Sequence, residues 1–232
     1  MTIDLRGVTA VMLPGTGSDD SYIARAFGAP LRAAGVRLLA PRPQPTRLID
    51  GYLEALNDAA RGGPIAVGGV SIGAAVAVAW ALQHPDRTVA VLAALPAWTG
   101  APNGATAAVT AQHSARQLRT DGLETTTAQM RASSPSWLAD ELARSWLRQW
   151  PHLPDAMEEA AGFVAPTYAE LERLAPPLGV AAAQDDPIHP IDVGRQWAAA
   201  APHAALRTVT LDQIGADPAA LGAACLAALA AA

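Results

Sequence analysis

The sequence predicts an α/β protein with a mainly parallel sheet of about six strands and helices on both faces. Two observations predict this fold class, and the length and composition add the number of domains. Short apolar runs alternate with longer stretches of helical periodicity, and Gly or Pro residues separate the two kinds of segment. The chain has 232 residues, of which 51% are hydrophobic and 16% charged. That length and composition suit one globular domain, so we expect a single domain over residues 1–232.

The elements follow one another in strand–helix order along most of the chain. The predicted strands are residues 8–13, 36–40, 65–68, 88–95, 178–183 and 206–211. The predicted helices are residues 22–34, 48–61, 72–83 and 219–231. Connections of this kind between successive strands give a parallel sheet.

Residues 97–175 depart from this alternation. They contain amphipathic helical stretches interrupted by prolines and no convincing strand pattern. We expect them to form a helical cap over one edge of the sheet. Four of the six tryptophans lie in or beside this stretch: Trp98, Trp137, Trp146 and Trp150. An apolar cap over a reactive site suggests an acyl or aromatic substrate, although packing of the cap onto the domain would explain the same tryptophans.

Charge and cysteine content exclude several classes of function. The formal net charge is -5, and no basic run or basic helix face indicates binding to nucleic acid or to an anionic membrane. No apolar run approaches the roughly 20 residues that span a bilayer. Cys225 is the only cysteine, so no internal disulfide can form. The low cysteine content is compatible with the reducing cytoplasm, where we expect the protein to be located. We expect no metal or cofactor, because no motif for either is present.

Residues 69–73, Gly-Val-Ser-Ile-Gly, fit the pattern G-x-S-x-G. A predicted strand precedes Ser71 and a helix rich in small residues follows it, which is the context in which such a serine acts as a nucleophile. Glycines two positions before and after the serine allow the strand and helix backbones to approach closely. The alternative is an ordinary turn in which Ser71 caps the helix.

With this motif in this context, the chain resembles the α/β-hydrolase family over nearly its whole length. The resemblance implies that the turn after the first strand supplies an oxyanion donor, and here that turn contains Pro14, Gly15 and Thr16. Thr16 and Ile72 would then donate their backbone N–H groups to an oxyanion. We expect Gly15, Trp98, Trp146 and Trp150 to contact substrate. A glycine-rich phosphate cradle is the alternative, although no P-loop lysine follows.

The resemblance also places the catalytic acid after a late strand. Asp186 lies in register with it, Asp185 lies one residue earlier, and both could instead be turn residues before Pro187. The catalytic histidine of the family follows the last strand, where this sequence has Ala216. His189 and the cap histidines His113 and His152 are alternative bases in an unorthodox position.

The sequence therefore favours a hydrolase of carboxylic esters or thioesters that acts through an acyl-enzyme on Ser71. Amide and carbon–carbon bond cleavage use the same parts and remain open. On this interpretation Ala216 replaces the base and impairs an otherwise intact enzyme. The alternative is a non-catalytic protein that binds a small molecule on a hydrolase scaffold.

Overall fold

The structure is a computed structural model, and it describes residues 4–232. Its six strands form a single sheet in the order β2-β1-β3-β4-β5-β6, and every neighbouring pair is parallel. The strands are β1 (Thr9–Leu13), β2 (Arg37–Leu39), β3 (Ile65–Val70), β4 (Thr88–Ala94), β5 (Leu178–Ala183) and β6 (Ala204–Val209). The predicted parallel sheet of about six strands is confirmed.

Ten α-helices accompany these strands in the described part of the chain. They are α1 (Asp20–Ala33), α2 (Leu48–Ala60), α3 (Ile72–Gln83), α4 (Thr106–Ser133), α5 (Ser136–Gln149), α6 (Leu153–Gly162), α7 (Tyr168–Leu171), α8 (Ile191–Ala200), α9 (Leu211–Ala216) and α10 (Ala219–Leu229). A short 3₁₀ helix, Pro85–Arg87, leads into β4.

Two hydrophobic cores lie on the two faces of the sheet, because successive strand residues point in opposite directions. In β1, Val11 and Leu13 join the core that also contains residues of α2, α3 and α8. Ala10 and Met12 join the other core, which contains residues of α1 and α10. Helices therefore cover both faces, as predicted.

The carboxyl ends of the parallel strands meet along one edge of the sheet. The strand order changes direction between β1 and β3, and open α/β sheets bind ligands beside such a point. The segments that follow β1, β3 and β5 at this edge contain Thr16, Ser71 and Asp186 respectively. The fold thus brings together residues that are far apart in the sequence.

The stretch between β4 and β5 contains α4 to α7 and no strand. Side chains from α4, α5 and α6 form a small apolar cluster of their own, which includes Leu118, Trp146 and Met157. The long helix α4 is interrupted at Gly122, whose φ of 79° is not helical. We call this helical segment the cap.

Two helices near the end of the chain were not predicted. α8 follows β5, and α9 begins directly after β6, in which the last strand residue is Val209 rather than the predicted residue 211. Thr210 ends the strand because it caps α9: its side chain accepts from the N–H of Gln213, whose side chain accepts from the N–H of Thr210. Within residues 4–232, no helix combines the length and apolarity needed to cross a membrane.

Candidate active site

Ser71 lies on a sharp turn between the end of β3 and the start of α3. Its φ of 56° and ψ of -116° are rarely adopted by a residue with a side chain, and strained backbone of this kind is concentrated at functional sites. The Ser71 N–H donates to the carbonyl of Ala94 at 2.9 Å, which holds the turn against β4. The Ser71 side chain makes no capping hydrogen bond to α3. The ordinary helix-cap interpretation of this serine is therefore wrong.

The turn is possible because of the two glycines that flank Ser71. A Cβ atom on Gly69 would lie 2.5 Å from the carbonyl oxygen of Leu13, and one on Gly73 would lie 2.3 Å from the same oxygen. Both distances are far below van der Waals contact, so β1 can approach the turn only if both positions are glycine.

His189 contacts both Ser71 and Asp186. Its Nε2 lies 3.0 Å from Ser71 Oγ, and its Nδ1 lies 2.7 Å from Asp186 Oδ2. A carboxylate only accepts hydrogen bonds, so Nδ1 carries the proton and Nε2 is left to accept from the serine hydroxyl. The three side chains form a continuous hydrogen-bonded chain in which the imidazole can take up the serine proton.

Asp186 is held as a buried carboxylate. Its side chain is 7% exposed, and Oδ1 accepts the N–H groups of Ile188 and His189 at 2.8 and 3.2 Å. Burial alone would raise the pKa of this carboxyl. The hydrogen bond and charge of His189 and the two N–H donors outweigh burial, so the pKa is below its ordinary value of 3.8. Asp186 is therefore ionised near neutral pH and can orient and stabilise the imidazole.

The prediction that position 216 is the place of the base is wrong. Ala216 is the exposed last residue of α9 and does not line the cavity that contains Ser71. Residues 211–216 form α9, and this helix presents Leu211 and Ile214 to the cavity but not Ala216. Asp185 also has a different role from Asp186: its Oδ1 accepts the N–H of Leu211, the first residue of α9, at 2.8 Å. His189, considered only as an unorthodox base, is the histidine that contacts Ser71.

The predicted oxyanion donors belong to two segments that meet at Ser71, because a Cβ atom on Gly15 would lie 3.6 Å from the Ser71 Cβ and Ile72 directly follows Ser71. Gly15 and Thr16 line the same cavity as the serine, on a turn closed by a 3.0 Å hydrogen bond from the Ser18 N–H to the Gly15 carbonyl. Ile72 is the first residue of α3, where the helix provides no acceptor for its N–H. The N-terminus of α3 adds a positive dipole end at this place.

Two buried side chains hold the turn that contains Thr16. The Tyr52 hydroxyl, from α2, donates to the carbonyl of Pro14 at 3.1 Å. Gln149, at the end of α5 in the cap, donates to the carbonyl of Ser18 at 3.0 Å. The turn is therefore fixed from the domain on one side and from the cap on the other.

A cavity of about 530 Å³ separates the cap from the edge of the sheet. Its wall contains Ser71, Asp186 and His189 together with many cap side chains. Trp98 and Trp146 line it, as expected, and so does Trp137, which was not predicted as a contact.

Trp150 was also predicted to contact substrate. It is 39% exposed and outside the cavity wall, because α5 ends at Gln149 and the backbone becomes extended at Trp150. Helical spacing from Trp146 therefore does not apply to it.

The cap histidines do not contact the serine. His113 lines the cavity, whereas His152 is paired with Asp155 at 3.3 Å and lies outside the wall. Among residues 4–232, no group of three or more His, Cys, Asp or Glu side chains is arranged to hold a metal ion.

Comparison with known proteins identifies the fold. No family model matches the sequence, and a search of the curated proteins finds no match. Solved structures do match. A hydrolase from Pseudomonas aeruginosa is 22% identical, with a TM-score of 0.68 and coverage of 96% of this chain and 89% of that one. A carboxylesterase of Nitrososphaera gargenis is 16% identical, with a TM-score of 0.73 and coverage of 91% and 85%.

An enol-lactonase from Burkholderia xenovorans is 21% identical, with a TM-score of 0.66 and coverage of 88% of this chain and 83% of that one. These structural neighbours are α/β-hydrolases, and the sheet and helices described above have the α/β-hydrolase fold. Identities this low establish the fold alone, and the chemistry has to be argued from the site itself.

Proposed function

We propose that this protein is a serine hydrolase that cleaves carboxylic esters or thioesters through an acyl-enzyme on Ser71. The observation that carries the proposal is the hydrogen-bonded chain from Ser71 Oγ through His189 to Asp186, at 3.0 and 2.7 Å. A nucleophile, a base and an orienting acid in this geometry are the parts that acyl transfer needs. The impaired-enzyme hypothesis depended on the absence of a base, and the position of His189 removes its basis.

The reaction begins with attack of Ser71 Oγ on the carbonyl carbon, while His189 Nε2 takes the hydroxyl proton. The negative oxygen of the tetrahedral intermediate accepts from the N–H groups of Thr16 and Ile72. The intermediate collapses when the C–O or C–S bond breaks, and His189 returns its proton to the leaving alcohol or thiol. Water, deprotonated by His189, then attacks the acyl-enzyme. The Ser71–acyl bond breaks to release the acid, and His189 returns the proton to Ser71 Oγ, which regenerates the serine.

The alternative function is a non-catalytic binding protein. It was suggested by the same observation, the alanine at the position where the family has its histidine. No observation in the described residues favours it over turnover. The capped cavity serves a hydrolase equally well, since the exclusion of water strengthens the oxyanion interactions during acylation.

The proposal is tested with a fluorophosphonate probe and a panel of short esters and thioesters. We expect the protein to be labelled on Ser71, as located by mass spectrometry of peptides, and to hydrolyse members of the panel. Ser71→Ala should abolish labelling and lower turnover by about 10³-fold or more. A folded protein that is neither labelled nor active against the panel would overturn the proposal, and labelling of another serine would overturn the assignment of Ser71.

A further inference from the structure

The permanently charged side chains of the cavity wall are all acidic. The wall combines neutral hydroxyl and amide side chains with large apolar ones, which include Leu95, Trp98, Trp137, Trp146, Leu211 and Ile214. Its acidic side chains are Glu141 and Asp186, and its only other titratable side chains apart from Tyr22 are the two imidazoles of His113 and His189. The wall thus has two carboxylates and no permanent cation.

No arginine or lysine side chain of the described residues lines this cavity. The chain has no lysine, so its permanently cationic side chains are its 16 arginines. All of them lie within residues 4–232, and none lines the cavity. A substrate carboxylate placed there would find no guanidinium or ammonium group to pair with.

Three arginines of α1 and α5 are already paired with the cavity-lining Glu141 or with Asp19. Arg144 and Arg25 both donate to Oε2 of Glu141. Arg148 donates to Asp19 Oδ2 at 3.3 Å and to Ser21 Oγ at 3.0 Å. These contacts join α5 to α1 and its N-cap, and they pair the three guanidinium groups with carboxylates of the protein itself.

From these observations we infer that the site accepts uncharged acyl chains and rejects acyl chains that end in a carboxylate. The inference rests on the proposed function and specifies its substrate class. Burial of a carboxylate without a cationic partner is unfavourable, and repulsion by the ionised Asp186 adds to the cost. An unpaired ammonium group would also lose its hydration, and Glu141 is already neutralised by two guanidinium groups. A neutral chain loses none of these interactions.

The test compares three ethyl esters with similar acyl lengths at pH 8: ethyl hexanoate, monoethyl adipate and diethyl adipate. Acid release is followed by pH-stat titration. We expect kcat/KM for ethyl hexanoate to exceed that for monoethyl adipate by at least about 100-fold. Diethyl adipate has the same backbone as the monoester without its charge, so its kcat/KM should lie near that of ethyl hexanoate.

A variant that adds a cation to the wall tests the cause of this preference. Gln117 is a half-buried residue of α4 that lines the cavity. Gln117→Arg should reduce the preference for the neutral ester by about tenfold, whereas the matched variant Gln117→Met should retain it. Circular dichroism and turnover of ethyl hexanoate establish that both variants fold.

The outcomes separate the two claims. If the esters are hydrolysed but the monoester is used as well as ethyl hexanoate, the inference is overturned and the hydrolase proposal stands. If diethyl adipate is used as poorly as the monoester, length rather than charge decides, and the inference is again overturned. If no ester in this or the wider panel is hydrolysed and Ser71 is not labelled, both claims fall.

Discussion

The segments that follow β5 and β6 leave the same edge of the sheet but contribute differently to the site. After β5, a short loop places Asp186 and His189 against Ser71. After β6, the chain enters α9 at once, and Leu211 and Ile214 supply part of the apolar cavity wall. The family resemblance assigns the acid to the first segment and the base to the second. In this protein the first segment supplies both of the side chains that we propose as acid and base, Asp186 and His189.

The adjacent residues Asp185 and Asp186 show how the two segments are connected. Asp186 accepts from His189, and Asp185 accepts from the N–H of Leu211 at 2.8 Å. One carboxylate thus holds the base, and the other holds the start of α9 beside it. The comparison shows that the family's chain order of serine, acid and histidine predicts a residue's role only where the local backbone structure is also that of the family.

The largest effect should come from removal of the base. His189→Ala should lower kcat/KM on the best ester by several orders of magnitude, toward the order of 10⁶ found when a protease triad loses its histidine. His113→Ala is the matched control, because His113 lines the cavity without contacting Ser71. If the double variant His189→Ala, Ala216→His recovered activity, the second segment would be the true place of the base.

Asp186→Asn should have the next largest effect. The amide can no longer accept from Nδ1–H as an anion, so the imidazole loses both its fixed tautomer and the charge that stabilises its cation; a loss of about 10⁴-fold in kcat is expected. Steady-state kinetics measure this, with Asp185→Asn as the control. A comparable loss in both variants would show that the two carboxylates do not divide their roles as described.

Asp185→Ala should affect stability more than activity. The substitution removes the acceptor for the Leu211 N–H at the start of α9, an exposed contact whose loss we estimate at about 1 kcal/mol. Urea unfolding of the variant and the starting protein measures the difference. A loss of several orders of magnitude in kcat with unchanged stability would contradict this assignment.

The smallest effect should come from Ala216→His alone. Position 216 is exposed at the end of α9, so the change in the free energy of unfolding should stay within about 0.5 kcal/mol. Ester hydrolysis should neither appear nor rise. An increase of tenfold or more in kcat/KM would show that this segment reaches the serine, and the comparison would have to be reversed.

The elements that could be predicted from the sequence are those with strong local signals. β3 and β5 are buried along their whole length and therefore read as uninterrupted apolar runs. The Ser71 turn was predictable because glycine spacing is dictated by close backbone approach. α9 was missed because it is only 6 residues long. A capping box marks its start, and it is too short to show apolar periodicity.

The sequence identified His189 as one of several candidate bases but gave no reason to choose it over the others. Its spacing of three residues from Asp186, between Pro187 and Pro190, was visible in the sequence. What the sequence could not provide is the path of that loop, which depends on two N–H contacts to Asp186 Oδ1 and on the position of β5 beside β4. Trp137 was missed for a similar reason, since helix packing in the cap determines which tryptophans face the cavity.

The separation of the three side chains along the chain has a consequence for how such a site is assembled. His189 is 3 residues from Asp186 and 118 residues from Ser71. The proposed acid and base are therefore aligned by local backbone geometry, and only one long-range alignment remains for folding to achieve. A displacement of this loop would move the pair as one unit relative to Ser71 and would leave the contact between Asp186 and His189 intact.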